Sequence, residues 1–265
     1  MRIHELHYSK TNTYLIVGEK GVLLFDTGWA GTFPDFCKAM GKTGISVKDI
    51  TCILISHYHP DHMGIAQEIA DEGATILVAD VQKDYIHVSD GIFAKENKFH
   101  FVPIDDVNIK TFPVDKGSEV LKEMGITGEI FHTPGHSDDS ISLLLDDGSL
   151  FVGDLNPLYE LELHKGTQTE ESWNKLLALN PKRVYYGHAK TADIDSIKEK
   201  PVSDKDMYEL VSKIMKMTDK GMDVNRIAKK TGADNEFIQD VLRMYLTHQN
   251  VGVQGILDRI EIKNK

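Results

Sequence analysis

Four metal-ligand side chains crowd into six residues at His57-Tyr58-His59-Pro60-Asp61-His62, directly after the apolar run Ile50-Thr51-Cys52-Ile53-Leu54-Ile55. An apolar run of this length bounded by polar residues reads as a buried strand. A strand that empties into a polar loop constrains the fold, because so many imidazoles and carboxylates at one strand end are useful mainly when something gathers them. Imidazole nitrogen and carboxylate oxygen suit zinc, iron and manganese. The alternation His57-x-His59 aims both rings one way, and the turn through Pro60 aims Asp61 and His62 toward a neighbouring point.

Three further ligand-type residues follow expected strand ends, each preceded by glycine: His136 in Thr133-Pro134-Gly135-His136, Asp154 in Phe151-Val152-Gly153-Asp154, and His188 in Tyr185-Tyr186-Gly187-His188. Glycine permits the tight backbone that turns a strand end into a ligand loop. Strands are expected at 13–17 and 22–26, joined as a hairpin through Gly18-Glu19-Lys20-Gly21, and at 50–56, 74–79, 129–132, 141–145, 149–152 and 183–186. Helical periodicity is expected near 33–40, 64–72 and 170–179. Residues 80–128 are less regular, reading as a helix followed by extended pieces that form part of a substrate wall. Strands, hairpins and helices in this order indicate an α/β protein with mixed sheets.

Beyond Pro201 strand signals nearly vanish. Helices are expected at 207–219, 224–230 and 235–246, with Gly232-Ala233-Asp234 as a turn and cap. The chain is therefore divided into a domain over 1–200 and a small helical, helix-turn-helix-like appendage over 201–265.

The ordered set His-x-His-x-Asp-His, Gly-His, Gly-Asp, Gly-His resembles the metallo-β-lactamase superfamily, and within it the glyoxalase-II-like and lactonase-like dinuclear hydrolases. The resemblance spans about the first 190 residues, and Phe25-Asp26-Thr27-Gly28 resembles that family's first motif. It implies a four-layer αββα sandwich. It also implies two divalent ions, zinc foremost with iron or manganese as alternatives. His57, His59 and His136 would hold the first, Asp61, His62 and His188 the second, and Asp154 would bridge both. Asp26 is implied to support the site without ligating. A hydroxide between the ions would be the nucleophile, with Asp61 in a catalytic role orienting it. The expected reaction is hydrolysis of a small ester-type bond in a thioester, lactone or phosphoester.

An aspartate at 154 argues against true β-lactamase activity, since those enzymes have cysteine or serine there. Tyr186 and Ala189 depart from the Pro-Gly-His-Gly of glyoxalase II, which speaks against glutathione as substrate. A nuclease of the β-lactamase-like endoribonuclease type and a mononuclear iron sulfur dioxygenase are the alternatives.

Charge bears on the nuclease alternative. The chain carries 30 Lys and Arg against 41 Asp and Glu, a net −11. From Pro201 onward the balance is 11 basic against 10 acidic, which leaves −12 on the first 200 residues. A body that acidic repels a phosphate backbone on average, so nucleic acid is disfavoured as a partner and a small-molecule substrate favoured. A homodimer remains among the arrangements allowed. The two cysteines, Cys37 and Cys52, give no disulfide framework, and neither an apolar leader after Met1 nor a ~20-residue apolar run is present, so the cytoplasm is the expected compartment and no membrane contact is expected.

Among residues outside the pattern, Tyr58 and Tyr186 either offer hydroxyls to a reacting oxygen or pack. His164 is a candidate substrate contact, since its loop follows the Asp154 strand. His4, His7, His87, His100, His132 and His248 read as ordinary surface or partly buried histidines.

Overall fold

A computed structural model describes residues 1–95, 100–158, 161, 164–199, 205–247, 252–253 and 255–257. The chain separates into two compact units, Met1–Leu155 with Gly166–Thr191, and Asn156–Lys165 with Ala192–Lys265. Pro201, where the sequence places its boundary, and His248 lie outside the described residues. Among the described residues no helix is long and apolar enough to cross a membrane.

The first unit is built on two sheets. One has the order β1 (Arg2–Leu6), β2 (Thr13–Val17), β3 (Val22–Phe25), β4 (Ile50–Leu54), β5 (Thr75–Ala79), β6 (Ile109–Phe112). The β1–β2–β3 pairs are antiparallel and β3 to β6 run parallel. The second sheet runs β10 (Arg183–Tyr185), β9 (Ser149–Phe151), β8 (Ile141–Leu145), β7 (Gly128–His132). There β10 is parallel to β9, and two antiparallel steps bring β7 back to the direction of β9.

Strand alternation sorts the apolar side chains into two cores. Leu15, Leu24, Ile53, Ile76 and Val78 face an outer cluster that includes Phe36 and Met40 of α1 (Phe33–Thr43). Their chain neighbours Tyr14, Ile16, Leu23, Phe25, Leu54 and Leu77 face the opposite way and meet Ile141, Leu143, Leu145 and Phe151 of the second sheet. A period of two on a sheet covered on both faces explains why these strands read as continuous apolar runs. Each such side chain, fully buried, contributes about 1.5–3 kcal/mol. The outer face of the second sheet is covered by α6 (Gln168–Leu177), whose Lys175 ammonium lies 5.4 Å over the Phe131 ring and whose Trp173 packs 6.4 Å from Tyr186. Helix, sheet, sheet and helix are the four layers expected.

Three expectations are corrected. β4 ends at Leu54 rather than Ser56, because Ser56 leaves the ladder: its amide donates to Asp26 Oδ1 and its carbonyl accepts from Ile141 of the second sheet. The helix expected over 64–72 is shorter, α3 (Ala66–Ala70), and a separate helical turn, α2 (Pro60–Met63), precedes it within the histidine-rich loop. The break falls at Gly64, whose amide donates to Gly28 where the loop after β3 passes over it. Residues 80–128 hold more helix than expected, with a 3-10 turn at Asp80–Tyr85, α4 (Asp90–Lys95) and α5 (Gly117–Glu123) around β6 alone. β1, an edge strand with a half-exposed polar pattern, has no counterpart among the strands read from sequence.

The second unit contains α7 (Ile194–Glu199), α8 (Lys205–Asp219), α9 (Val224–Thr231) and α10 (Asn235–Thr247). The last three have their own core of Val211, Ile214, Ile227, Ile238, Val241 and Met244. As the spacing predicts, Gly232 turns left-handed (φ 74°) to end α9, and Asp234 Oδ1 accepts the Phe237 amide to open α10.

Candidate metal centre

Strand direction explains why distant residues meet. β3 and β4 are parallel, so Asp26 and the 57–62 loop leave the first sheet at one edge. β7, β9 and β10 share a direction, so His136, Asp154 and His188 leave the second sheet together. The two edges are joined by the bond from Ile141 N to Ser56 O (2.8 Å).

All seven side chains singled out in the sequence converge. Ligand-type atoms of His57, His59 and His136 lie within 4.8 Å of one another, as do those of Asp61, His62 and His188, and of His57, His62 and Asp154. His59 Nδ1 and His136 Nε2 are 3.1 Å apart, and His188 Nε2 is 2.9 Å from Asp61 Oδ2. The Asp154 carboxylate stands between the triads, 3.3 Å from His62 Nε2, 3.4 Å from His188 Nε2 and 3.6 Å from His136 Nε2. Two glycines make this approach feasible. A Cβ on Gly187 would lie 2.5 Å from Asp154 Oδ1 and 2.8 Å from His62 Cε1, and one on Gly153 would collide with Ser56.

Supporting bonds fix which nitrogen of His62 and of His188 faces inward. The Asp26 carboxylate, on a residue held at φ 62°, accepts Ser56 N (2.7 Å) and Ser56 Oγ (2.9 Å) and lies 2.9 Å from His62 Nδ1. His62 therefore keeps its proton on Nδ1 and presents Nε2 to the centre. His188 Nδ1 likewise donates to the Lys10 carbonyl (3.1 Å), leaving Nε2 inward. Thr11 Oγ1 donates to the Asp61 carbonyl (2.8 Å), while Asn12 Nδ2 donates to the Tyr186 and Ala189 carbonyls and clamps the turn that delivers His188.

Sequence reading passed over a second buried set. Asp139 Oδ2 accepts the Tyr58 amide (2.7 Å), Ser89 Oγ donates to the Tyr58 carbonyl (2.7 Å), and Gln82 Nε2 donates to the Ile55 and Asp139 carbonyls. These hold the main chain between His57 and His59. No local signal marks them, since Gln82, Ser89 and Asp139 all stand in polar segments.

The two triads differ electrostatically. Burial holds the His57 imidazole well below its usual range, with His62 and His136 pushing the same way, and burial also lowers His136. Burial opposes charge on His62 too, but Asp154, Asp26 and Asp61 outweigh it and hold that ring well above its usual range. For His188, Asp154 and Asp61 outweigh burial in the same sense. Asp61 and Asp154 resist burial and stay below the usual carboxylate range because His62 and His188 face them.

The donor set fits divalent cations. His57 Nε2 is buried without a hydrogen-bond partner where the group His57, His62 and Asp154 links the two triads, and His62 Nε2 and Asp154 Oδ1 face each other there only as a 3.3 Å ion pair. A buried polar atom left unpaired costs about 1–3 kcal/mol, so the lone His57 nitrogen beside this cluster marks a place where ligation supplies what hydrogen bonding does not.

The other candidates separate cleanly. Tyr58 and Tyr186 are buried, Tyr58 within the outer core and Tyr186 against Trp173, which favours packing for both. His164 belongs to the second compact unit, where burial lowers its pKa. His87 bridges Asp90 (3.0 Å) and Asp106 (3.2 Å) on the surface. Cys52 is buried and its thiol is pushed up to about 11 by that burial; both cysteines are free.

Comparison with known proteins agrees with this architecture. A β-lactamase-like protein 2 homolog of Drosophila melanogaster is 29% identical over 186 residues, covering 67% of this chain and 58% of the relative, so the chain spans just under three fifths of that relative's length. An atrochrysone carboxyl ACP thioesterase of Aspergillus fumigatus is 30% identical over 147 residues, covering 54% of this chain and 29% of that one. Among solved structures, a metallo-beta-lactamase family protein of Thermus thermophilus superposes with a TM-score of 0.57 at 20% identity, over 79% of this chain and 81% of the other. The profile of the metallo-beta-lactamase superfamily matches residues 9–188, from the strap before β2 to the last inward histidine, and the chain belongs to that superfamily.

Proposed function

We propose that this chain is a dinuclear metal-dependent hydrolase of small ester-type substrates, with thioesters foremost among thioester, lactone and phosphoester. One observation carries the reading: two triads of ligand-type side chains are linked through a third group, His57, His62 and the largely buried Asp154, with His57 Nε2 buried and unpaired at the link. In this reading His57, His59 and His136 hold one ion, Asp61, His62 and His188 the other, and Asp154 is shared. Zinc is the preferred metal, because nitrogen-rich donor sets with carboxylate suit it, with iron or manganese as alternatives.

When bound, a pair of divalent cations supplies Lewis acidity toward the substrate oxygen and a lowered pKa for water held between them. The protein's own part is positioning. Asp26 and the Lys10 carbonyl fix the inward nitrogens of His62 and His188. Asp61 is the catalytic residue proposed, its carboxylate oriented at 2.9 Å from His188 and its main chain pinned by Thr11, so that it would orient the attacking oxygen by accepting a hydrogen bond from it. Tyr58 is locked by Asp139 and Ser89, which keeps His57 and His59 facing inward while their neighbour packs into the core.

The thioester preference draws on the Aspergillus relative, whose name gives it an acyl-carrier thioesterase activity. The acidic body supports a small-molecule substrate over nucleic acid. The reaction is proposed to reside wholly in the domain over 1–200, with the helical region over 201–265 taking no part in the chemistry, and the cytoplasm is the compartment proposed.

A hydrolysis screen across thioesters, lactones and phosphodiesters, with metal quantified in the same sample, tests the proposal. Turnover of one ester class by protein holding two ions per chain is expected. A single iron per chain with oxygen consumption and no hydrolysis would replace the reading with an oxygenase.

A further inference from the structure

The end of the sandwich opposite the metal centre holds an open surface cavity of about 430 Å³ lined by Met1, Arg2, Val17, Glu19, Lys20 and Lys122, together with Ile126 and Thr127. It lies where β2 turns into β3 and where β7 begins. Asp26 and His136 leave the far ends of those same strands, so a strand's length, roughly 15 Å, separates the cavity from the reaction centre.

Three features set this cavity apart. Its lining carries three cations, Arg2, Lys20 and Lys122, against one carboxylate, Glu19, in a chain whose net charge is −11. Among the described residues none of those three cations has an ion-pair or side-chain hydrogen-bond partner, which is equally true of Lys42, Lys83 and Lys182, so what is particular here is that three such cations line one concavity. The walls are also held in place. The β2–β3 turn is bonded to the corner after α5 through Lys20 N to Met124 O (3.0 Å) and Glu19 N to Gly125 O (3.4 Å), and Gly18 has no side chain where the Met124 carbonyl presses on it.

We infer that this cavity is a binding site for a phosphorylated small molecule. A guanidinium and two ammonium groups around one concavity match a phosphoryl group, because arginine supplies a planar fork and lysine a mobile point charge. The free Thr127 hydroxyl adds a neutral donor. The volume exceeds that of a lone phosphate and falls within the range of small-ligand sites. Val17 and Ile126 offer apolar surface for the rest of such a molecule. This site is independent of the metals and of the reaction proposed for them.

The test uses phenylphosphonate, which joins a phosphoryl-type anion to an apolar ring and cannot be hydrolysed. Binding to the full chain, stripped of metal with a chelator and dialysed at low salt, is followed by calorimetry or by NMR shifts. Saturable binding is expected, tighter than for inorganic phosphate or benzoate. It should weaken at least ~10-fold in the double variant Arg2→Ala/Lys122→Ala and in Lys20→Glu, with folding checked by circular dichroism. Absence of saturation by ~10 mM, or equal affinity in both variants, overturns the proposal. So does binding that needs the metal-loaded protein, since that places the ligand at the other end.

Discussion

The two triads at the sheet edges are built from similar side chains and are electrostatically opposite. His57, His59 and His136 form an all-imidazole set in which burial favours the neutral ring at His57 and His136. Asp61, His62 and His188 form a set in which Asp154 and Asp61 favour the protonated ring at both histidines, with Asp26 adding to this at His62. A metal takes the neutral imidazole, so the first triad is close to its ligating state near neutral pH, whereas the second must release protons to bind. The sequence motif presents seven candidate ligands as equals. The fold makes them two unequal halves joined by Asp154.

The largest expected effect comes from removing what the halves share. Asp154→Ala should strip both ions together and lower hydrolysis by more than the ~100-fold ceiling of an outer-shell change. Retention of two ions with normal turnover would end the bridged reading. Gly187→Ala comes next, because its Cβ would press on Asp154 Oδ1 and His62 Cε1. Overpacking of that kind costs about 1–3 kcal/mol, visible as a lower melting temperature and as metal lost first from the second triad.

Asp26→Asn sharpens the comparison further. It keeps the shape but weakens the acceptor that fixes His62, and should cost ~10–100-fold in affinity for the second ion while the first is retained. Equal loss of both would show that the halves are not separable. The smallest effect is in pH. Because the folded pKa values of His62 and His188 are raised, these rings stay protonated at pH values where His57 and His136 are already neutral. Stepwise metal titration should show the weaker step losing affinity faster as pH falls from about 8 to about 6, with more protons released on that step. Parallel slopes for the two steps would remove the distinction.

What could be read in the chain beforehand follows from which physics is local. The seven inward residues were legible because ligand types are rare in such density and because Gly153 and Gly187 stand where a Cβ cannot. The buried strands were legible because burial on both faces leaves an apolar run. β1 was not, since Arg2, His4 and Glu5 gain their place only through the ladder to β2. Nor was the bracing of Tyr58 by Asp139 and Ser89, 81 and 31 residues away, or the clamp of Asn12 on the turn at 186–189. Polar residues that act by bonding a distant main chain carry no periodicity. The break at Gly64 has the same cause, a passing backbone that no local pattern records.

The central claim is that two cations sit in unequal halves around one carboxylate. Anomalous scattering from crystals of metal-loaded protein tests it most directly. The account predicts two peaks about 3.5–4 Å apart, one among His57, His59 and His136 and one among Asp61, His62 and His188, with Asp154 reaching both. One peak alone, or peaks from which Asp154 points away, would contradict it.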